Sequence, residues 1–416
     1  MRNIFDQYAQ PENRITHAFM TALNEDRNLL GLFLRELVGV KAPINPRGLS
    51  VQEQQYPGEE EASEEELERR GIPDGWIYDE EGWCVFIETK VIAKLDADQI
   101  IRHRRTAERR GFQSVIAVAI APRFPASLPD SVVRLEWRDV YDWLRRHSSG
   151  STWAARTADY LEIAEAKLIG TEQFVEGTLT MFSGFPFGPD HPFTYLEGKR
   201  ILELALDELR GRRQLVDRLG MNPKASGRPA ITGRQGSGVW DFLSLSTATE
   251  EENFTRHPHL TLNVESHAVE AMVTVPHKVN SVMRRNLVKL GEAGFEVLAG
   301  SIVNNLKPLL RDHEGASPWF RGLQRRYPSQ RAEPFVDAKI EFDLRTAIRS
   351  GGPLKTQVRW LSAAYGSFVN KETSNYQIQM GVRFQNDRCP ELREAKAIDL
   401  IASAWLACKP LVDLAG

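Results

Sequence analysis

Apolar positions recur along this chain with two distinct periods. In "PENRITHAFMTALNEDRNLLGLFLRELVG" (11–39), Ile15, Phe19, Ala22 and Leu23 form a stripe at helical spacing, which predicts a helix or helix pair. Pro11 suits its first turn. "LSVQEQQY" (49–56) alternates instead with period two and predicts a strand, and the acidic run "EEEASEEELERR" (59–70) reads as an exposed loop or short helix. Two more strands are expected at about 72–79 and 83–91, divided by the turn-rich "DEEG". "LDADQIIRHRRTAERRG" (95–111) returns to the helical period, with Asp96 or Asp98 as cap and Gly111 as stop. The unbroken apolar run "SVIAVAIA" (114–121) suits a central strand buried on both faces. "VVRLEW" predicts a further strand and "RDVYDWLRRH" (138–147) a closing helix. The order α, β, β, β, α, β, β, α describes an α/β domain over residues 1–150.

Residues 151–218 read as a mainly helical connector around an aromatic loop, "MFSGFPFGPDHPF" (181–193). "LGMNPKASGRPAITGRQGSG" (219–238) carries Lys224, Arg228 and Arg234 but no phosphate-binding glycine signature, so it is either a hinge or a nucleic-acid contact. Beyond it, "HLTLNVES" (259–266), "HAVEAMVTV" (267–275), "VDAKIEFDL" (336–344) and "NYQIQMGVRFQ" (375–385) alternate cleanly. Helices are expected near 279–310 and 391–414, which makes 219–416 an α+β domain with an antiparallel sheet. The succession strand group, helix, strand group, helix raises a duplicated unit, although no residue-level repeat accompanies it. In "NYQIQMGVRFQ", Gln377, Gln379, Arg383 and Gln385 share one polar face, suited to water or to nucleic acid.

Composition narrows the class. At 416 residues the chain exceeds one typical core, and 42% hydrophobic with 26% charged residues fits an ordinary globular protein. No apolar run reaches the roughly 18 residues of a membrane span, and the N-terminus lacks a signal-peptide core, so a cytoplasmic protein with no membrane partner is expected. Three cysteines without CxxC spacing argue against a disulfide framework and a zinc site, and the nine histidines form no metal-like cluster along the sequence. The net charge of −3 splits into 20 Lys+Arg against 25 Asp+Glu over residues 1–150, and 33 against 31 over the rest. Binding to a polyanion would therefore need local basic patches. "RHRRTAERR" (102–110) is one, with Arg102, Arg105 and Arg109 on one helix face; it is either a solvated face or a track for a phosphate backbone.

The chemistry concentrates in "PDGWIYDEEGWCVFIETK" (73–90). Side chains alternate along a strand, so Cys84, Phe86, Glu88 and Lys90 share one face of the second run. A turn near Asp79–Gly82 folds the two runs antiparallel and brings Asp74 beside Glu88 at the far end of the hairpin. Two converging carboxylates suit a hard divalent cation, and a lysine two residues on can orient an attacking water and offset phosphodiester charge. Neither half of this pattern is specific alone. Glu165-Ala-Lys167, Glu197-Gly-Lys199 and Glu394-Ala-Lys396 repeat E-x-K, and Pro129-Asp130 and Pro189-Asp190 repeat Pro-Asp. Only at 73–90 do both fall in one hairpin.

In that combination the chain resembles the PD-(D/E)XK nuclease superfamily over roughly residues 10–145. The resemblance implies a restriction-endonuclease-like mixed sheet flanked by helices. It also implies a divalent-metal-dependent DNA endonuclease, with Asp74, Glu88 and the Thr89 carbonyl holding Mg²⁺ or Mn²⁺ and Lys90 positioning water. A first-helix glutamate of many members corresponds to Glu12, which would assist through a water or by orienting Lys90. A Gln-x-x-x-Tyr of some branches corresponds to Gln99 and His103, where the second residue departs from the pattern. The second domain would select the DNA target, dimerise the enzyme or dock a partner defence protein, as in prokaryotic restriction and anti-phage systems. Plainer readings stand beside these: an exposed cross-strand ion pair for Asp74, Glu88 and Lys90, a helix-dipole contact for Glu12, and solvated positions for Gln99 and His103. At the level of the whole protein, the rivals are a non-catalytic nucleic-acid-binding or assembly subunit on the same scaffold, and an RNA substrate.

Overall fold

A computed structural model describes residues 5, 8, 10–41, 45–54, 72–170, 179–225, 227, 238–245, 257–275, 277, 281–326, 335–348, 355–369 and 376–416. The acidic run 59–70 and most of the glycine-rich stretch 219–238 lie outside these. The chain divides into two compact units, Met1–Met181 and Phe182–Gly416.

The first unit is a mixed five-stranded sheet in the order β1 (Ser50–Glu53), β2 (Gly75–Tyr78), β3 (Trp83–Thr89), β4 (Ser114–Ile120), β5 (Val132–Leu135). β1, β2 and β3 pair antiparallel, while β3, β4 and β5 pair parallel. The parallel step needs a crossover, which α3 (Ala97–Arg109) supplies, capped by the Asp96 side chain on the Asp98 amide. The expected helix pair is α1 (Pro11–Glu25) and α2 (Arg27–Glu36), split at Asp26, whose carboxylate caps α2. α4 (Trp137–His147) and α5 (Thr152–Gly170) follow β5.

β3 is apolar on both faces because each face meets a different core. Val85, Ile87 and Val91 pack with the apolar stripes of α1, α2, α4 and α5. Cys84 and Phe86 pack with Ile100 and Ala107 of α3. A charged residue at the end of this strand is thus carried to a place that strand packing has largely closed to water.

The expected connector 151–218 is divided between the units. α5 packs on α1 and α4, whereas α6 (Tyr195–Arg210) packs on the second sheet. The aromatic stretch before α6 is no surface loop: Phe182, Phe185 and Phe187 are buried in the second core. α7 (Arg213–Leu219) follows α6.

The second unit is a six-stranded antiparallel sheet. Its strands are β6 (Gly238–Ser244), β7 (His259–Glu265), β8 (Ala268–Val275), β9 (Ala316–Arg326), β10 (Phe335–Asp343) and β11 (Tyr376–Gln385), in the order β10-β9-β11-β8-β7-β6. The two strand groups therefore join one sheet rather than forming two copies of a unit. α8 (Val282–Lys289), α9 (Gly291–Asp312), α10 (Arg359–Val369) and α11 (Ala397–Ala407) pack with α6 around Ile378, Met380, Val382 and Phe384 of β11. Gln377, Gln379 and Arg383 point the other way, where Arg383 and Arg321 clasp the fully buried Glu270 of β8 at 3.0 and 2.7 Å. That carboxylate is tolerable in a sheet centre only because both oxygens are paired. Among the described residues, no helix is long and apolar enough to cross a membrane.

Candidate active site

The hairpin β2–β3 sets the site's register. Asp79 Oδ1 accepts from the Glu81 and Trp83 amides and closes the turn, and Gly75 pairs with Ile87 at the other end. The next pair outward is Asp74 opposite Glu88. The backbone ladder does not continue there; the Asp74 side chain replaces it. Asp74 Oδ2 accepts from the Thr89 amide at 2.7 Å and the Thr89 hydroxyl at 2.9 Å.

Glu88 and Lys90 project from the α3 face of β3. Glu88 is fully buried, and its Oε1 accepts from Lys90 Nζ at 2.7 Å. Its Oε2 accepts no hydrogen bond among the described residues; His103 Nε2 stands 3.3 Å away, itself without one. Here the structure corrects the solvated reading of His103, which is 1% exposed. The physical reason is its place on the buried stripe of α3, with Ala97, Ile100 and Ala107. Gln99 lies one turn earlier on that helix, half-buried, and makes no hydrogen bond to Asp74, Glu88 or Lys90. Arg102, Arg105 and Arg109 are exposed.

Glu12 acts on the backbone that follows Lys90. Its Oε1 accepts from three consecutive amides, Val91 (2.8 Å), Ile92 (2.7 Å) and Ala93 (2.9 Å). A carboxylate in the first turn of α1 thus holds the segment leaving β3. The backbone of Lys90 is held on both sides as well: its amide donates to the Ile120 carbonyl at 2.8 Å, and its carbonyl accepts from Trp137 Nε1 at 3.1 Å. Glu12→Ala should cost about 2 kcal/mol, since hydrogen bonds to a charged group contribute ~1.5–3 kcal/mol and three amides lose one acceptor. Hydrogen exchange at 91–93 should quicken more than elsewhere in the first unit; unchanged protection would refute the cradle.

Thr16, one turn after Glu12, completes a chain of oxygens. Its hydroxyl donates to the Glu12 carbonyl at 3.0 Å and lies 2.6 Å from the Thr89 hydroxyl, which contacts Asp74. Burial, then the adjacent Glu88 charge, push the Asp74 carboxyl up to about 7, against the opposing pull of Lys90 and of the Thr89 hydrogen bonds. Burial works against the Lys90 ammonium, but Glu88, Asp74 and Glu12 outweigh it and raise its pKa. Lys90 is accordingly a hydrogen-bond donor and positive charge at neutral pH, rather than a proton acceptor.

The donor set is all hard oxygen. Asp74 takes both hydrogen bonds on Oδ2, Glu88 keeps an unsatisfied buried oxygen, and burial together with the neighbouring Glu88 charge raises the Asp74 carboxyl to about 7. A divalent cation that prefers oxygen would relieve all three conditions, so these residues fit Mg²⁺ or Mn²⁺. Sequence reasoning did not include Thr16, Trp137 or the buried role of His103. The signals available were the helical spacing of Thr16 from Glu12 and of His103 from Ile100 and Ala107. A scan against protein-family models finds no match to this chain, and a search of curated proteins likewise finds none.

Proposed function

We propose that the first unit is a divalent-metal-dependent deoxyribonuclease with a restriction-endonuclease-like fold, of the PD-(D/E)XK type. The observation that carries this reading is the meeting of Asp74, a buried Glu88 with an unpartnered oxygen, and Lys90 at one end of the β2–β3 hairpin. Mg²⁺ or Mn²⁺, held by Asp74, Glu88 and the Thr89 carbonyl, would supply Lewis acidity toward a phosphodiester and lower the pKa of water. The protein's own groups do the rest. Lys90 keeps its proton, places the attacking water by donating to it, and offsets charge growing on the phosphate. Glu12 fixes the backbone on which Lys90 stands, so its role is positioning. The exposed Arg102, Arg105 and Arg109 would follow the DNA backbone, and Gln99 would meet substrate rather than metal.

The second unit would select the target, pair two copies, or dock a partner defence protein, in a prokaryotic restriction or anti-phage setting. Cleavage of plasmid, linear and single-stranded DNA, and of RNA, should require Mg²⁺ or Mn²⁺, stop with chelator, and fall at least ~100-fold in Asp74→Ala. Cleavage surviving Asp74→Ala would remove the proposed site. A folded wild-type chain that binds DNA and cuts no substrate would favour the assembly-subunit reading, and cleavage of RNA alone would change the substrate class.

A further inference from the structure

The second unit holds another convergence of metal-ligating groups, invisible to motif spacing because it joins positions far apart in the chain. His313 caps the C-terminus of α9, while Cys389 and Glu391 lie in the turn that follows β11. His313 Nδ1, Cys389 Sγ and a Glu391 carboxylate oxygen all fall within 4.8 Å of one another. Nδ1 stands 3.4 Å from Glu391 Oε1, and Sγ stands 3.6 Å from Oε2. A tetrahedral ion bonded at about 2.0–2.2 Å to nitrogen and oxygen and about 2.3 Å to sulfur places such ligands about 3.3–3.6 Å apart. The nitrogen and the sulfur each stand at such a distance from one oxygen of the Glu391 carboxylate, Nδ1 from Oε1 and Sγ from Oε2. A second observation points the same way: His313 Nδ1 is buried and finds no hydrogen bond among the described residues. Cys389 is wholly buried, and the Glu391 side chain, 35% exposed, leaves one side open to water.

We propose that His313, Cys389 and Glu391 bind one Zn²⁺-class ion, with solvent at the fourth position. Thiolate, imidazole and carboxylate together select a borderline-soft transition ion over Mg²⁺, which separates this site from the all-oxygen pair in the first unit. On binding, the Cys389 thiol passes its proton to solvent and its sulfur bonds to the ion, while His313 binds through neutral Nδ1. The ion would join the turn between α9 and β9 to the turn after β11. Those turns already meet where the Gln385 amide donates to the Gly315 carbonyl at 3.0 Å and Arg388 pairs with Glu314. The site is thus a clamp on one end of the central β9–β11 pair.

Cobalt titration of the chelator-stripped full chain tests this without reference to cleavage. One equivalent of Co²⁺ per chain should give a thiolate-to-cobalt charge-transfer band with tetrahedral d–d absorption, and Zn²⁺ should displace it. Cys389→Ala should abolish the band. His313→Ala and Glu391→Gln alter partly exposed residues that the fold can spare, and each should weaken Co²⁺ binding at least ~10-fold. No band in the wild type, a band that survives Cys389→Ala, or an affinity unmoved by Glu391→Gln overturns the proposal.

Discussion

Lys90→Met is expected to separate stability from activity. The Glu88 side chain is 1% exposed and Lys90 16%, so the substitution leaves a buried carboxylate beside Asp74 and His103 without its ammonium partner. Breaking such a pair from one side costs about 3 kcal/mol or more, most of it the penalty of the stranded charge. Unfolding of the first unit in chelator should therefore shift by about that amount. Saturating Mg²⁺ should restore much of the lost stability, because the cation neutralises the same carboxylate. It should not restore cleavage, which on the proposed function would lose the donor that places water and stay down by at least ~10²-fold. Denaturant melts with and without Mg²⁺, set beside a plasmid assay, check both halves. Rescue of cleavage by Mg²⁺ alone would show that Lys90 serves only to balance Glu88.

The second large effect is a pH-dependent response to metal. Asp74 is raised from 3.8 to about 7, so the native state binds more protons than the unfolded chain between those values. In chelator, its contribution to stability is complete below about pH 4 and disappears as pH climbs through about 7. On the proposed function metal would invert this, because only the carboxylate would bind it. Below about pH 7 the affinity for Mg²⁺ should rise about tenfold per pH unit, then level off. The gap in Tm between Mg²⁺ and chelator should be small near pH 5.5 and wide by about pH 8.5. Asp74→Asn should flatten both curves. A wild-type gap that does not change with pH would exclude Asp74 as a ligand.

The legible parts of the site were those fixed by local counting. Turn residues at Asp79–Gly82 and strict alternation along β3 suffice to bring Asp74 opposite Glu88 and to set Glu88 and Lys90 on one face. The long apolar run at 114–121 announced a strand with both faces covered, and Ser114–Ile120 is that strand. What escaped depends on tertiary docking. Nothing local to Glu12 indicates that its partners are amides about 80 positions away. The arginines around His103 masked the apolar stripe it belongs to. β6 and β9 went unforeseen because "GVWDFLS" and "SPWFRGLQRR" mix Gly, Pro and charge into their alternation, and their pairing comes from neighbours rather than from propensity. Glu270 is the extreme case: a carboxylate in a fully buried strand, acceptable only once Arg321 and Arg383 arrive from two others.

The strand order of the second sheet bears on how the chain is made. β11, the last strand in sequence, lies between β9 and β8 near the sheet's centre. During synthesis the pieces β8-β7-β6 and β10-β9 must wait, each with an unpaired inner edge, until residue 385 has left the ribosome. Exposed edges of this kind recruit strands from other chains. The first unit ends at Met181, before any strand of the second sheet, so a stalled chain would join a complete first unit to an adhesive, unfinished second one. Truncations ending before Tyr376 should aggregate during expression, whereas those ending near Met181 should not.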